Sequence, residues 1–227
     1  INSVIKGAYP GEENCIFDVS KFQNWYYQSG TPKVKISQHW DSNNSILNVS
    51  FEQKIDNTST HSNKEMVIPI LYSCYVPEKD SSPFIKDELF VLDKHKKELK
   101  INFSTNYTRS PVLSLFRGFS SPVAWKSDFS HDDYLFLFLN DNDYFTKWDS
   151  GQFLMREIIK SRLEKNLNHS LENKFINAIK QCIKYFEIND PFFLSTLITI
   201  PGPSEIESLC KKIDSISIYN ETLNFKI

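Results

Sequence analysis

Metal chemistry would need His, Cys or carboxylate side chains at ligand spacing, such as two histidines four apart on one helix face. The five histidines of this chain, His39, His61, His95, His131 and His169, stand apart, and none forms such a pair. His131-Asp132-Asp133 is the nearest approach to a cluster, and helix-start capping accounts for it. A nucleophile elbow would need Gly-x-Ser-x-Gly, whereas Gly118-Phe-Ser120 and Ser29-Gly30 are turn chemistry. Six glycines in all build no phosphate-cradling loop. The carboxylates Asp41, Asp56, Asp141 and Asp143 sit in turn contexts, where capping explains Asp141 and Asp143 better than acid–base work. Read from the residues alone, the chain holds no recognisable active site.

Two segments resist a purely local account. In Pro111-Val-Leu-Ser-Leu-Phe-Arg-Gly-Phe-Ser-Ser-Pro-Val123, Arg117 lies between Phe116 and Gly118-Phe119. An arginine so placed is expected half-buried, satisfying carbonyls or a carboxylate across an interface, with anion or substrate binding as the alternative. In Phe22-Gln-Asn-Trp-Tyr-Tyr-Gln-Ser-Gly-Thr-Pro32, aromatic residues fall at helical spacing from Lys21 to Gln28, and Ser29-Gly30-Thr31-Pro32 stops the helix. From Lys33 the period becomes two, with Val34 and Ile36 on one side and Lys33, Lys35 and Ser37 on the other. A helix, a tight turn and a strand within fifteen residues mark a domain junction.

The elements around these segments change character once along the chain. Residues 32 to 127 read as short strands: Lys33–Gln38, Ile46–Phe51, Met66–Val76, Glu88–Leu92, Glu98–Phe103 and Pro122–Trp125, with Pro69 demanding an edge or a bulge. Polar turns between them describe a β-sandwich of about seven strands, with Asp56 to Lys64 as a mobile hairpin loop. From Ser130 the pattern is helical: Asp132–Asn140, Tyr144–Asn166, a helix capped by Ser170, a helix from Asp190-Pro191 to Ile200, and one opened by Ser204-x-x-Glu207. The expected fold class is therefore α+β multidomain, an antiparallel sandwich followed by an α-helical solenoid or bundle. The domains expected are 1–31, a tail of a neighbouring domain with the junction helix; 32–127, the sandwich; and 128–227, the start of a helical domain.

With 227 residues and a net charge of −2, the chain can hold one large or two modest domains, and no polyanion partner is expected, because Lys94 to Lys100 is interleaved with Asp93 and Glu98. Nucleic acid is not an expected partner. The longest apolar runs are about eight residues, against the roughly 20 of a spanning helix, so no membrane partner is expected. Cys15, Cys74, Cys182 and Cys210 lie far apart among apolar neighbours and read as buried free thiols in a reducing, cytoplasmic compartment. Beginning at Ile1 rather than Met, the sequence reads as an internal fragment.

Together the two segments resemble the aminopeptidase N family of zinc metallopeptidases, in its bacterial and apicomplexan-type branch. Phe22-x-x-Trp25-Tyr-x-Gln28-Ser-Gly-Thr-Pro32 is similar to the family's junction between its catalytic domain and an Ig-like sandwich, and Pro111–Val123 to a segment near that sandwich's end. Asp143, Phe145, Trp148 and Gln152 are similar to the start of its C-terminal helical domain. The resemblance implies a parent that removes N-terminal residues from peptides with zinc, a His-Glu-x-x-His helix and a Gly-Ala-Met-Glu-Asn loop. Neither motif occurs here, so no catalytic, metal or substrate residue carries over. The chain is then expected to be inactive by itself: a catalytic-domain tail, a spacer, and the opening of a cap over the active site. Trp25, Tyr26, Gln28, Gly30, Pro32, Arg117 and Trp148 are its expected structural and interface residues. Expected partners are the catalytic domain and later helices of the same protein, with self-association of the truncated chain. A stand-alone protein-interaction module is the alternative.

Overall fold

A computed structural model describes residues 19–54, 64–79, 82–207, 209, 210 and 215–225. It divides into two compact units, Ile1–Asp128 and Phe129–Ile227. The expected cap at Asp18, the loop over 56–63, and Cys15 lie outside the described residues.

The first unit opens with two single helical turns, α1 (Val19–Phe22) and α2 (Asn24–Tyr27), where the sequence predicts one helix. Gln28 leaves the helical region at φ −107°, ψ 129°, and Gly30 follows at φ 97°, a left-handed conformation that suits glycine. Seven described strands follow: β1 (Lys33–Asp41), β2 (Ile46–Lys54), β3 (Ile68–Tyr75), β4 (Ile85–Leu92), β5 (Lys96–Asn102), β6 (Val112–Leu115) and β7 (Ala124–Lys126). They form two sheets, ordered β5-β2-β1-β7 and β4-β3-β6. Alternation decides the inward faces: Val34, Ile36, Leu47, Val49, Phe51, Ile70 and Leu113 are all at most 2% exposed. Phe51 and Phe90 meet with ring centroids 4.7 Å apart.

Three details depart from the sequence expectation. Strand β6 is buried at all four positions, so it shows no alternation to read and was missed within the Arg117 segment. The sandwich is antiparallel except where β7 runs parallel to β1, pairing Lys33 with Ala124 and Lys35 with Lys126. The chain switches sheets between β6 and β7, so β7 returns alongside β1 in the same direction. Pro69 lies in the middle strand of its sheet, yet β6 pairs only with Tyr72–Tyr75 of β3, so at Pro69 the strand has a ladder neighbour on one side only.

The second unit comprises α3 (His131–Asn140), α4 (Tyr144–Leu163), α5 (His169–Asn189), α6 (Pro191–Leu197), α7 (Pro203–Glu207) and α8 (Ser215–Asn224). Ser130 and Asp133 form a reciprocal capping box on α3, while Asp143 and Asp190 cap α4 and α6 through the amides of Thr146 and Phe193. Two expected caps move. Asn168, not Ser170, caps α5 by accepting from Leu171 N at 3.0 Å. Pro203 fixes the first position of α7, so the glutamate reaching back is Glu205, whose Oε1 accepts from Gly202 N, and not Glu207. Helices α3 and α4 pack closely because Gly151 presents no side chain to the buried Phe138 ring; a Cβ there would sit 2.8 Å from Cε2.

Candidate functional site

The junction is bound to the sandwich through side chains that reach backbone carbonyls. Asn24 Nδ2 donates to Glu65 O at 2.8 Å, Trp25 Nε1 to Val67 O at 2.8 Å, and Gln28 Nε2 to Lys64 O at 2.9 Å. Gln28 Oε1 also accepts from Lys64 N at 3.3 Å, so its amide pairs with that residue as a strand neighbour would. Lys21 Nζ bonds Glu65 Oε2 at 3.0 Å and Asp93 O at 3.2 Å. The Lys21 hydrogen bond holds the Glu65 carboxyl below its ordinary value, against a smaller penalty from burial. Trp25 is half-buried, whereas Tyr26 and Tyr27 are 69% and 79% exposed. Pro32 is buried, and its carbonyl accepts from Ala124 N at 2.9 Å where β1 and β7 begin to pair.

On the other side of 64–67 stands a residue the sequence reading missed. Gln53, 4% exposed, accepts from Met66 N and donates to Met66 O, both at 2.9 Å, and donates to Lys94 O at 2.9 Å. The segment leading into β3 is thus bracketed by Gln28 and Gln53, each presenting a primary amide in place of a peptide group. Its signal was available: Gln53 continues the inward series Leu47, Val49, Phe51, and a polar residue there must find buried partners.

Arg117 is 3% exposed, more deeply buried than expected, and its carboxylate partner lies within the same unit. Nε donates to Asp87 Oδ1 at 2.7 Å and Nη1 to Ser114 Oγ at 2.8 Å. Asp87 occupies a bulge where β4 spends one residue more than β3, with φ 52°, and its N–H donates to Ser73 Oγ at 3.0 Å. Around Arg117 the chain turns sharply, with Phe116 at φ 55°, Gly118 at 58° and Phe119 at 56°. Left-handed phenylalanines cost on the order of 1 kcal/mol or more each and persist only where packing dictates them. Here Phe116 is 1% exposed and its ring lies 5.5 Å from that of Trp125, tilted by 37°. The turn then completes β3: Ser120 Oγ accepts from Leu71 N at 3.0 Å and Ser121 Oγ donates to Pro69 O. Two serine hydroxyls therefore serve the stretch of β3 that β6 does not reach.

In the helical unit Trp148 is half-buried, with its ring 5.9 Å from Phe145. Its neighbour Lys147 is 5% exposed and donates to Phe138 O at 2.8 Å and Leu139 O at 2.9 Å, closing the last turn of α3 with a cation. Burial pushes the Lys147 ammonium below its ordinary value, partly opposed by Cys182 and Asp141. Arg162 joins three helices through Glu172 and Glu221, with Phe225 beneath it.

The expected interface residues thus do not converge on one site. Trp25, Gln28, Gly30 and Pro32 form the junction side of the sandwich, Tyr26 projects from it, Arg117 belongs to the buried turn, and Trp148 to the helical unit. Of His131, Asp132 and Asp133 only Asp133 caps α3, with Ser130, while Asp132 accepts from Lys174 Nζ at 2.7 Å and His131 lies beside Phe153; Asp143 caps α4, and Asp141 Oδ1 accepts from Asp143 N at 2.9 Å. Among the described residues no three His, Cys, Asp or Glu side chains come together in a way that could hold a metal ion. No described helix is long and apolar enough to cross a membrane.

Residues 30–128 match a family described as a domain of unknown function, DUF3458, with an Ig-like fold, and residues 131–226 match DUF3458_C, described as ARM repeats. Aminopeptidase N of Escherichia coli is 27% identical over 214 residues, covering 91% of this chain and 24% of that protein. Aminopeptidase N of Caulobacter vibrioides is 26% identical over 202 residues, 89% of this chain and 23% of its own. Over about nine-tenths of its length the chain is thus similar to one part of aminopeptidase N. The fold agrees: a crystal structure of Legionella pneumophila aminopeptidase A, in complex with aspartic acid, aligns with a TM-score of 0.74 at 21% identity over 91% of this chain and 23% of that one. An Ig-like sandwich followed by an ARM-like helical unit is therefore the architecture of this chain. The chain spans about a quarter of the length of the curated relatives it matches.

Proposed function

We propose that this chain is an architectural part of a zinc-dependent aminopeptidase that removes N-terminal residues from peptides. The sandwich acts as a spacer against the peptidase domain, and the helices begin the cap that restricts substrates to short peptides. The observation that supports this most is the collinear match of both units, over about nine-tenths of the chain, to one contiguous quarter of aminopeptidase N relatives. The geometry suits a spacer: the junction turns are fixed to the sandwich by four side chains, so a domain preceding them would be held at a defined angle. The described residues do not fit a zinc site, and no catalytic step is derived through that ion. The partners of this reading are the peptidase domain and later helices of the same protein. Its compartment is a reducing cytoplasm, consistent with the buried free thiols Cys74 and Cys182.

The test compares the 227-residue chain with a longer protein containing it. The longer protein should hydrolyse an aminoacyl fluorogenic substrate and lose that activity to a zinc chelator, while the chain alone, supplied with zinc, should give the blank rate. Turnover by the chain alone would overturn the architectural reading. A longer protein with no aminopeptidase activity would overturn the assignment of the parent.

A further inference from the structure

Helix α8 is apolar on two opposite sides, and the described fold uses one of them. Its inward side is fixed. Ile218 and, just past the helix, Phe225 are 2% and 5% exposed. Glu221 pairs with Arg162 of α4 at 3.1 Å, and that guanidinium lies 5.1 Å from the Phe225 ring centroid. Arg162 also holds Glu172 of α5, so rotating α8 would break a link shared by three helices. The outward side carries Ile216, Tyr219 and Leu223, which are 75%, 54% and 60% exposed. Steps of three and four residues align them in one stripe, about 10 Å long at the helical rise.

The chemistry of this stripe differs from that of a solvated helix face. The outer side of α5 carries the exposed cations Lys174, Lys180 and Lys184. Among residues 215–225 the single charged side chain is Glu221, which Arg162 takes to the inward side. Uncharged Asn220 and Asn224 therefore flank the stripe, and both are exposed. We propose that Ile216, Tyr219 and Leu223 seat an apolar-faced helix of the next repeat in the longer protein. In stacked helical repeats each unit buries against its neighbour a face it cannot bury alone, and an uncharged stripe fits an equally uncharged helix face. Area argues against a free second copy as the occupant. Three side chains cover far less than the roughly 800 Å² per partner of a stable interface, whereas a helix in the same chain associates intramolecularly and needs less. The seat presupposes the reading above, in which a longer protein extends the helical unit, and adds where and against which residues it does so.

The experiment places Leu223→Cys in the 227-residue chain and in a longer protein containing it. Maleimide labelling of the peptide spanning position 223 is followed by mass spectrometry, each rate normalised to the same protein unfolded in urea. Labelling in the longer protein should be at least about tenfold slower than in the chain alone, because the seated helix must first open. Should Leu223→Cys unsettle the longer protein, Ile216→Cys at the other end of the stripe gives the same comparison. Leu223→Asp should speed hydrogen exchange across α8 at least about tenfold in the longer protein, and change it less than about twofold in the chain alone, where position 223 already meets water. Equal labelling in the two proteins would overturn the seat. Slow labelling in the chain alone that quickens on dilution would make the occupant a second copy and overturn it as well. An active aminopeptidase with position 223 open overturns the seat alone; an inactive longer protein with position 223 shielded overturns only the assignment of the parent.

Discussion

In the sandwich, backbone groups left over where strands end or fall short are met by side chains far away in sequence. Gln53 serves Met66 and Lys94, Gln28 serves Lys64, Ser120 and Ser121 serve Leu71 and Pro69, and Asp128 serves Gln38. In the helical unit the same need is met mostly by close neighbours: Ser130 with Asp133, Asp143 with Thr146, Asn168 with Leu171 and Asp190 with Phe193. The difference follows from where each element leaves donors and acceptors unpaired. A helix leaves them at its ends, within reach of a side chain three residues off. A strand leaves them along its edge, where the partner must come from another part of the chain. Lys147 and Gln152 are helical exceptions: Lys147 reaches back nine residues to close α3, and Gln152 Nε2 donates to Thr199 O at 2.7 Å.

If this contrast is correct, breaking a distant stand-in should cost more than breaking a local cap. Gln53→Leu strips Met66 N and O of their buried partners and is expected to destabilise the sandwich by about 2–5 kcal/mol, since each unsatisfied buried group costs about 1–3 kcal/mol. Urea melts read by peptide-resolved hydrogen exchange would localise the loss, and a change below about 1 kcal/mol would make the amide a bystander. Gly151→Ala forces a Cβ onto the buried Phe138 ring and should destabilise the helical unit by about 1–3 kcal/mol, leaving exchange in the sandwich unaltered. Asp143→Ala removes only a local cap, with an expected cost of about 1 kcal/mol. A loss from Asp143→Ala equal to that from Gln53→Leu, in the same assay, would erase the distinction.

The smallest difference should appear on raising the pH from 8 to 10. Burial pushes the Cys74 thiol from 9.0 up to about 12. The unfolded chain therefore releases this proton first, and the sandwich's stability is full below pH 9 and declines from there towards pH 12. Burial likewise raises Tyr72, with its hydrogen bond to Glu88 adding to the shift, so the two losses share a sign. In the helical unit Cys182 loses stability in the same sense, but Lys147 has its pKa lowered by burial. Below 10.5 the unfolded chain then binds more protons at that position, so its contribution rises with pH. Stability should thus fall more steeply in the sandwich than in the helical unit. Cys74→Val should flatten the sandwich's decline, and equal slopes in wild type and variant would remove Cys74 as its cause.

Local pattern made much of the architecture legible. Alternation in Lys33–Gln38 and Ile46–Phe51, proline at Pro191, and the capping residues Asp143 and Asp190 report on neighbours in sequence, and these elements stand where expected. Strand β6 was hidden because both its faces are buried, and Ser170 competed with Asn168 as the cap because both have suitable side chains. Of the interface residues, Arg117 was recognisable as an arginine needing partners, but nothing local named Asp87, thirty positions away and displaced by a bulge. Gln53 was passed over because its meaning depends on Met66 and Lys94 arriving on either side.

The sequence by itself determined the periods, the turns and most helix starts, since each depends on residue types within a few positions. Tertiary structure alone decided which polar side chain completes which strand, that Arg117 faces Asp87, and that Arg162 pairs with Glu221 of α8. These are pairings between residues that chain connectivity leaves free, and only strand pairing and packing in the folded chain fix them.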